Sequence, residues 1–530
     1  MLTKIDQDYI RPFLSDASYL SNGAADRLVF PTSSEDIADV LKEAAASRTP
    51  VTVSGAGTGT VGGRIPSGGI ILATDKLARI QSISCSEIGG SAVAEAGVPL
   101  ADLQRFVEAQ GLIYPPDPTE RSCYLGGTIA TNASGSRTFK YGPTRDYIRR
   151  LKIVLSTGDI IDLRRGDLKA DAVGRVSIPL LSGDVLQAQL PTYQMPRTRK
   201  HACGYYVAPG MDVIDLFIGS EGTLGVVVEA EVGLLPKPQG LLTGVVFFDA
   251  EQHLLSFAGE VRSLSLQTRV SAEGVGKFGN LMERALAVTN RSPAQSDEDR
   301  CSPLPIDARA LEYFDNNSLD FLRTKYETIP KAAVGAVFFE QETNTSTEEE
   351  IVANWMTVVE RNRALSDSSW FAMNESDHAR LREFRHALPV LMNEWFARHN
   401  QRKVSTDMSV PDEAFDVMLR YYHDTLRPTG LRYTVFGHIG DNHVHVNILP
   451  RDDSEAAIAR DIYLHFVKRA IELGGTLSAE HGIGKLKRDY LKLLYTEDNL
   501  REMAALKRAF DPAGILGRGN MFDEKYLAVD

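Results

Sequence analysis

The chain lacks what would mark it for a bilayer, a secretory route or a nucleic acid. It has no run of about 18 apolar residues, so nothing in it reads as a membrane span. Its opening, MLTKIDQDYIRPFLSD, carries acidic residues early and no apolar core of the kind a secretory signal needs. Cysteine is scarce: Cys85, Cys123, Cys203 and Cys301 stand far apart with no CxxC pair. That argues against a disulfide framework, a cysteine-rich zinc site and an iron–sulfur cluster. An excess of positive charge is also missing. The formal net charge is −12, which leaves no basic footprint for a phosphate backbone and argues against nucleic acid as a partner. The default compartment is the cytoplasm. Peripheral contact with a membrane, and a local basic pocket for a small anion, stay open.

What is present is a globular chain too long for one ordinary domain. Its 530 residues imply two or three. Glycines cluster in three places. In PTSSEDIADVLKEAAASRTPVTVSGAGTGTVGG (31–63), Ile37, Val40, Leu41 and Ala44 follow the spacing of a helix with one buried face. Ser33 or Ser34 can cap it, and Glu35 and Asp36 suit its N-terminal dipole. PVTVSG then reads as a short strand entering a glycine-rich turn. The order is helix, strand, loop, which is wrong for a Rossmann dinucleotide site. The second cluster, PPDPTERSCYLGGTIATNASGSRTFKYG (115–142), has almost no bulk over 126–136. Such a backbone can approach a flat or charged ligand and aim N–H groups at it; the alternative is a long surface loop. The third, FIGSEGTLGVVVEAEVGLLPKP (217–238), sets GSEGTLG before an apolar strand, and PKP reads as a boundary.

Beyond residue 238, strand-like runs such as LLTGVVFFDA and AAVGAVFFE alternate with helical stretches, as in an α+β domain. Two stretches read as irregular insertions: 164–201, which ends in the basic PRTRKH, and the polar 290–308.

The chain has only 11 histidines, yet GHIGDNHVH (437–445) holds three of them. RYTVF (432–436) reads as a strand, Gly437 to Asn442 as a turn, and HVHVNIL as the returning strand. Alternation puts His443, His445 and Asn447 on one face and Val444, Val446 and Ile448 on the other. His438 at the mouth of the turn can fold over towards His445. Two histidines are an incomplete metal site. Downstream, GGTLSAEHGIGKLKRDY (474–490) offers Glu480 and His481 in a glycine-flanked loop before a helix.

Three glycine clusters in this order, then GHxGDxxxH and SAEHGIG, resemble the FAD-linked 2-hydroxyacid dehydrogenases of the vanillyl-alcohol oxidase/PCMH superfamily. That group takes in D-lactate dehydrogenases of the cytochrome or quinone type, D-2-hydroxyglutarate dehydrogenases and the glycolate oxidase flavin subunit. The resemblance spans roughly 25–520. It implies an α+β protein: a two-lobed PCMH-type FAD-binding domain (1–237), an α+β cap domain (238–475) and a C-terminal helical segment (476–530) that carries EHGIG and returns to the flavin. Ser54, Gly55, Ala56, Gly57, Thr58, Gly59, Gly62 and Gly63 resemble the pyrophosphate cradle. Pro116, Asp117, Pro118, Gly126, Gly127, Asn132, Ala133, Ser134 and Gly135 resemble the lining of the pyrophosphate and isoalloxazine. Glu221, Gly222, Leu224, Gly225 and Val226 resemble the ribityl–adenine edge. Where relatives end in DP–NPGK-like sequence, this chain has DPAGILGRGNMF, with Asn520 as the residue to reach the flavin. With no covalent attachment residue to assign, the expected FAD is non-covalent.

The same resemblance implies a divalent metal, zinc foremost, on His438, His445 and Glu480, and a general base at His481. His443 departs from it, since many relatives carry Asn there. Its role stays open between touching substrate, supporting the site and lining the strand. LREFRHALPVLMN (381–393) resembles the R-E-x-x-P segment and makes Arg385 the carboxylate clamp, with His386 in place of the usual Glu. QRKVSTDMSVP (401–411) brings Lys403 as a further basic candidate. The implied reaction oxidises a 2-hydroxyacid, D-lactate or a related D-2-hydroxyacid, to the 2-oxoacid. Without haem or iron–sulfur motifs, the electrons would leave to an external quinone, cytochrome or electron-transfer flavoprotein. A homodimer stays open. Two other readings are a non-redox flavin transferase of the same fold, resembling alkylglycerone-phosphate synthase, and a flavin-binding subunit of a larger glycolate-oxidase-like complex.

Overall fold

The computed structural model describes residues 1–86, 88–273, 306–372 and 374–528. The polar stretch expected as a loop insertion over 290–308 lies outside the described residues up to 305, and Cys301 with it.

A four-stranded sheet opens the chain, in the order Leu2–Lys4, Arg27–Phe30, Ile70–Ala73, Val51–Ser54. The last three strands run parallel. Helix Ser34–Ser47 joins two of them, and the expected signals hold. The Ser33 side chain accepts the Asp36 N–H, Glu35 and Asp36 sit in the first turn, and Ile37, Val40, Leu41 and Ala44 are buried. Strand Val51–Ser54 then delivers the first glycine loop. The far end of the chain returns to this strand's free edge. The Val51 N–H donates to the Ile515 carbonyl at 2.8 Å, and the Gly517 N–H to the Val51 carbonyl at 3.0 Å.

The second lobe is an antiparallel sheet in the order Ile80–Ser86, Gly89–Glu95, Val226–Pro236, Ile148–Val154, Ile160–Arg164. Leu112–Ile113 pairs with the end of Val226–Pro236. The second glycine cluster is folded back beneath it rather than looped into solvent. It forms short helices Leu125–Ala130 and Thr138–Tyr141, with Leu125, Ile129 and Phe139 buried. The expectation of an irregular insertion over 164–201 is corrected. Arg175–Pro179 and Val185–Gln189 pair in register as an antiparallel hairpin. Val176, Ile178 and Ala188 face the core, so this is the period-two pattern of a half-buried strand pair, in runs too short to stand out.

From Gly240 the chain builds a seven-stranded antiparallel sheet. Its order is Trp370–Ala372, Gly240–Phe248, Gly335–Thr343, Ala308–Asp315, Arg432–Gly437, His445–Leu449, Val404–Ser405. Both faces are covered. On Gly240–Phe248, Val245 and Phe247 join Leu381 and Phe384 of helix Glu375–His399. Val246 and Phe248 join Leu254 and Phe257 of helix Glu251–Glu273. A strand buried on both sides reads as a continuous apolar run, as LLTGVVFFDA does. Polar residues inside such strands therefore carry information, and Ala308–Asp315, wholly buried, contains Glu312.

Candidate active site

The histidine hairpin forms as its pattern predicts, with one adjustment. Arg432–Gly437 pairs with His445–Leu449. The turn between them is a short 3-10 helix, Ile439–Asp441, closed by Asn442 in the left-handed conformation at φ 53°. Regular pairing therefore begins at His445, and His443 instead bridges to Ser409. His443 and His445 still share a face, with ring centroids 4.5 Å apart, and His438 folds over to 5.7 Å from His445.

The loop bearing Glu480 and His481 closes over these rings. Glu480 Oε2 lies 3.4 Å from His438 Nε2 and 3.9 Å from His445 Nε2. Each of these rings is held from behind by its other nitrogen. His438 Nδ1 donates to Glu312 Oε1 at 2.6 Å, and His445 Nδ1 donates to the Thr406 carbonyl at 2.9 Å. This leaves both Nε2 atoms aimed at the carboxylate, the arrangement by which outer partners fix the tautomer of a metal-binding histidine. Donor atoms of His438, His443, His445 and Glu480 all lie within 4.8 Å of one another. The donor set and its backing groups fit a divalent ion.

Three residues that sequence reasoning missed hold this cluster. Lys200, fully buried, places Nζ 2.6 Å from Glu480 Oε1, 3.0 Å from Asp441 Oδ2 and 2.9 Å from the Gly135 carbonyl. Asp407 accepts the backbone N–H groups of Glu480 and His481 and the Lys487 ammonium, and lies 3.4 Å from His481 Nδ1. Glu312 lies beneath His438 and 3.4 Å from Arg385 Nη2. Burial raises the Asp407 carboxyl, but His481 and Lys487 outweigh it and hold it well below the usual range. Burial likewise opposes Glu480, and His438 and Lys200 overcome it. Burial presses His481 down to about 4, against the pull of Asp407, which keeps its imidazole neutral and able to take a proton. A Glu in the middle of a strand-like run and a Lys in a basic run were the available signals.

A cavity of about 80 Å³ opens beside the cluster. Its walls bring together Arg385, His386, Glu312, His438, His445, Glu480 and His481. Arg385 projects from helix Glu375–His399, and its Nε is buried without a hydrogen-bond partner. Lys403 is not brought to this cavity. It precedes strand Val404–Ser405 with its side chain exposed, and from that stretch Thr406, by its carbonyl, and Asp407 reach the site.

The three glycine clusters converge on one another. Asn520 ties two of them, donating from Nδ2 to the carbonyls of Gly63 at 2.9 Å and Glu221 at 3.3 Å. The Glu221 N–H reaches the Ala130 carbonyl, which draws in the third. Gly59 and Gly127 face open space, and a side chain begun at Gly55 would stand 3.8 Å from Tyr124. Ala56, Thr58 and Gly62 complete the first loop, and Arg64 reaches under it from Ser54 Oγ to the Gly55 carbonyl. Loops with so few bulky side chains of their own fit the close approach of an extended dianionic cofactor. Ser134 donates to Glu480 at 3.1 Å, so the second cluster touches the histidine site directly. Other predicted members serve the walls. Asn132 at φ 48° accepts the Arg145 N–H, and Gly135 packs on the Asp117 carbonyl. Asp117 pairs with Arg121 and Arg137 between Pro116 and Pro118. Ala133 accepts the Thr144 hydroxyl at its carbonyl, and Gly126 leans on Ala96. Leu224, Gly225 and Val226 are core, and Gly222 takes a left-handed φ. The Glu221 carboxylate accepts the N–H groups of Ile483 and Gly484.

The family of FAD binding domains matches residues 25–164, and that of FAD linked oxidases, C-terminal domain, matches 305–521. Among curated proteins the chain is similar to the glycolate oxidase subunit GlcD of Bacillus subtilis (strain 168), 29% identical over 96% of this chain and 91% of that one. It is 27% identical to a D-lactate dehydrogenase of Anaerostipes hadrus, covering 93% and 89% of the two chains. It is 25% identical to a D-2-hydroxyglutarate dehydrogenase of Stutzerimonas stutzeri (strain A1501), covering 98% and 95%. A solved alkyldihydroxyacetonephosphate synthase superposes with a TM-score of 0.64 at 15% identity, over 97% of this chain and 81% of that one, which shows a shared fold. Among the described residues no helix is long and apolar enough to cross a membrane. Matched at both its FAD binding domain and its C-terminal domain, and along nearly its whole length to such enzymes, the chain belongs to the PCMH-type FAD-linked family of oxidoreductases.

Proposed function

We propose that the protein is an FAD-dependent dehydrogenase of D-2-hydroxyacids, D-lactate or a close relative. It holds FAD non-covalently and a divalent metal, zinc foremost, on His438, His445 and Glu480. One observation carries this reading. A single cavity is walled at once by a buried arginine with an unpartnered N–H, by the histidine–carboxylate cluster and by a neutral histidine, and Ser134 joins it to the glycine clusters.

Each wall has a task. Arg385 offers a planar pair of N–H donors to the substrate carboxylate. Glu312, 3.4 Å away, steadies that guanidinium and orients His438. His481 takes the proton of the substrate hydroxyl at an imidazole nitrogen, and Asp407 beside Nδ1 stabilises the imidazolium that results. Lys200 holds Glu480 by one oxygen and leaves the other facing the histidines. A metal on those donors would polarise the hydroxyl and orient it. FAD supplies the acceptor for the C2 hydride at N5, and the protein supplies position and charge. The acceptor of the electrons would be an external quinone, cytochrome or electron-transfer flavoprotein.

Anaerobic mixing of the holoenzyme with a panel of D- and L-2-hydroxyacids is the test. The flavin absorbance should bleach with at least one D-enantiomer and resist its mirror image. A flavin that stays oxidised across the panel would remove the dehydrogenase reading.

A further inference from the structure

We infer that His443 is a fourth protein donor to the metal, so that this chain presents three imidazoles and one carboxylate rather than two and one. The inference rests on the metal reading of the histidine cluster proposed above.

Three observations carry it. First, His443 is fully buried, its ring sits 4.5 Å from His445 and 5.5 Å from His438, and its Nδ1 is 3.9 Å from Glu480 Oε1. Second, it is held between two carboxylates with its nitrogens exchanged relative to its neighbours, which turn Nε2 to Glu480 Oε2 while His443 turns Nδ1 to Oε1. One ring nitrogen faces an outer oxygen, here Nε2 at 3.2 Å from Asp407 Oδ1, while the other turns to Glu480. Third, neither nitrogen completes a well-formed hydrogen bond, which is costly for a buried imidazole. An ion on Nδ1, with Nε2–H directed at Asp407, would satisfy both.

A rival grouping, Asp407 with Glu480 and His481, also lies within donor range. Asp407 is already satisfied there. It accepts from Ser478 at 2.7 Å, from Lys487 at 2.6 Å and from two backbone N–H groups. Among the residues of the two groupings, the one whose donor atoms are buried without a completed hydrogen bond is His443.

The extra donor has a consequence for coordination. Donors about 2.1 Å from one ion stand no more than about 4.2 Å apart, so the cluster closes by a few tenths of an ångström on binding. Four protein donors complete a tetrahedral shell. A 2-hydroxycarboxylate chelating through two oxygens then needs an ion that accepts six. His443 thus moves the site towards ions that readily take six ligands, such as manganese, iron or cobalt, and away from a four-coordinate zinc centre.

X-ray absorption at the metal edge of the unmodified holoenzyme counts imidazoles and should find three. Alongside it, His443→Asn and His445→Ala are loaded with cobalt(II), with FAD content checking the fold. His443→Asn should keep FAD, weaken cobalt retention by about 10-fold or more and change the visible cobalt spectrum. Two imidazoles in the unmodified enzyme overturn the inference. So does a His443→Asn protein with unchanged affinity and spectrum while His445→Ala loses its metal; the metal reading itself then stands. A holoenzyme that retains none of these ions with measurable affinity overturns both.

Discussion

At the scale of single residues, the cavity sets charge against charge with little solvent to screen it, so small changes act strongly. Replacing Arg385 with Lys keeps the charge but loses the planar pair of donors. Loss of such a charged hydrogen bond costs about 1.5–3 kcal/mol, which should appear as a KM raised roughly 10-fold or more for the hydroxyacid, with flavin content unchanged. His481→Gln should retain FAD and lower the rate of flavin reduction by about 10²–10⁴-fold. Stopped-flow absorbance reads the rate, and an unaltered rate would take the proton acceptor elsewhere. These residues were legible because their motifs are contiguous and their alternation is strict. Glu312, Asp407 and Lys200 were not. Each is a single polar residue whose partner lies far off in the chain: 126 positions for Glu312 and His438, 280 for Lys200 and Glu480. The local signals do not name those partners, and only the fold brings them together.

At the scale of elements, the site depends on loops that pin one another. Lys200 reaches from the segment after the Arg175–Pro179 and Val185–Gln189 hairpin to Glu480, Asp441 and the Gly135 carbonyl. Lys200→Met would leave two carboxylates buried without that cation. Breaking a buried pair costs about 3–5 kcal/mol, so a lower melting temperature is expected, together with weaker FAD retention as the Gly135 turn loosens. Glu221 is a second pin. It adopts φ 54° and accepts the Ile483 and Gly484 N–H groups, while Gly484 packs so closely on Val61 that a Cβ there would meet its carbonyl at 2.2 Å. Burial lifts the Glu221 carboxyl to about 7 from its ordinary 4.5, and the two N–H donors offset only part of this. Between those values the folded protein binds more protons at this group than the unfolded chain. Its contribution to stability is therefore fullest below about pH 4.5 and declines as pH rises through 7. Glu221→Gln should flatten that slope in melting temperature against pH. The convergence of the glycine loops was legible in outline, because bulk is absent over a long stretch. This pinning was not, because the resemblance gives Glu221 to the ribityl–adenine edge and its hydrogen-bond partner Ile483 lies 262 positions away.

At the scale of the whole molecule, residues from both lobes, the seven-stranded sheet and the returning tail meet around one cleft. Asn520 alone touches Gly63, Glu221 and Lys485. A cofactor seated among these loops would couple all the parts. Ligand at about 1,000 times its dissociation constant adds roughly 4 kcal/mol. Removal of FAD should therefore lower the melting temperature by roughly 3–4 °C, in one transition rather than as a domain melting apart. The architecture was legible in outline because apolar runs, glycine clusters and motif order survive in one dimension. The hairpin within 164–201 and the return of Ile515 to Gly517 onto Val51 were not, the first for its short alternation and the second because its partner lies at the other end of the chain. The central claim is that a C2 hydrogen of a D-2-hydroxyacid leaves as hydride to the flavin while the chain holds carboxylate and hydroxyl. Anaerobic single-turnover reduction of the holoenzyme with C2-deuterated and unlabelled D-lactate, repeated with other D-2-hydroxyacids, tests it most directly. Full bleaching of the flavin, slowed by a primary isotope effect of about 2 or more in the deuterated substrate that reacts, is the predicted result. Flavin that remains oxidised with every member of the series would contradict the account.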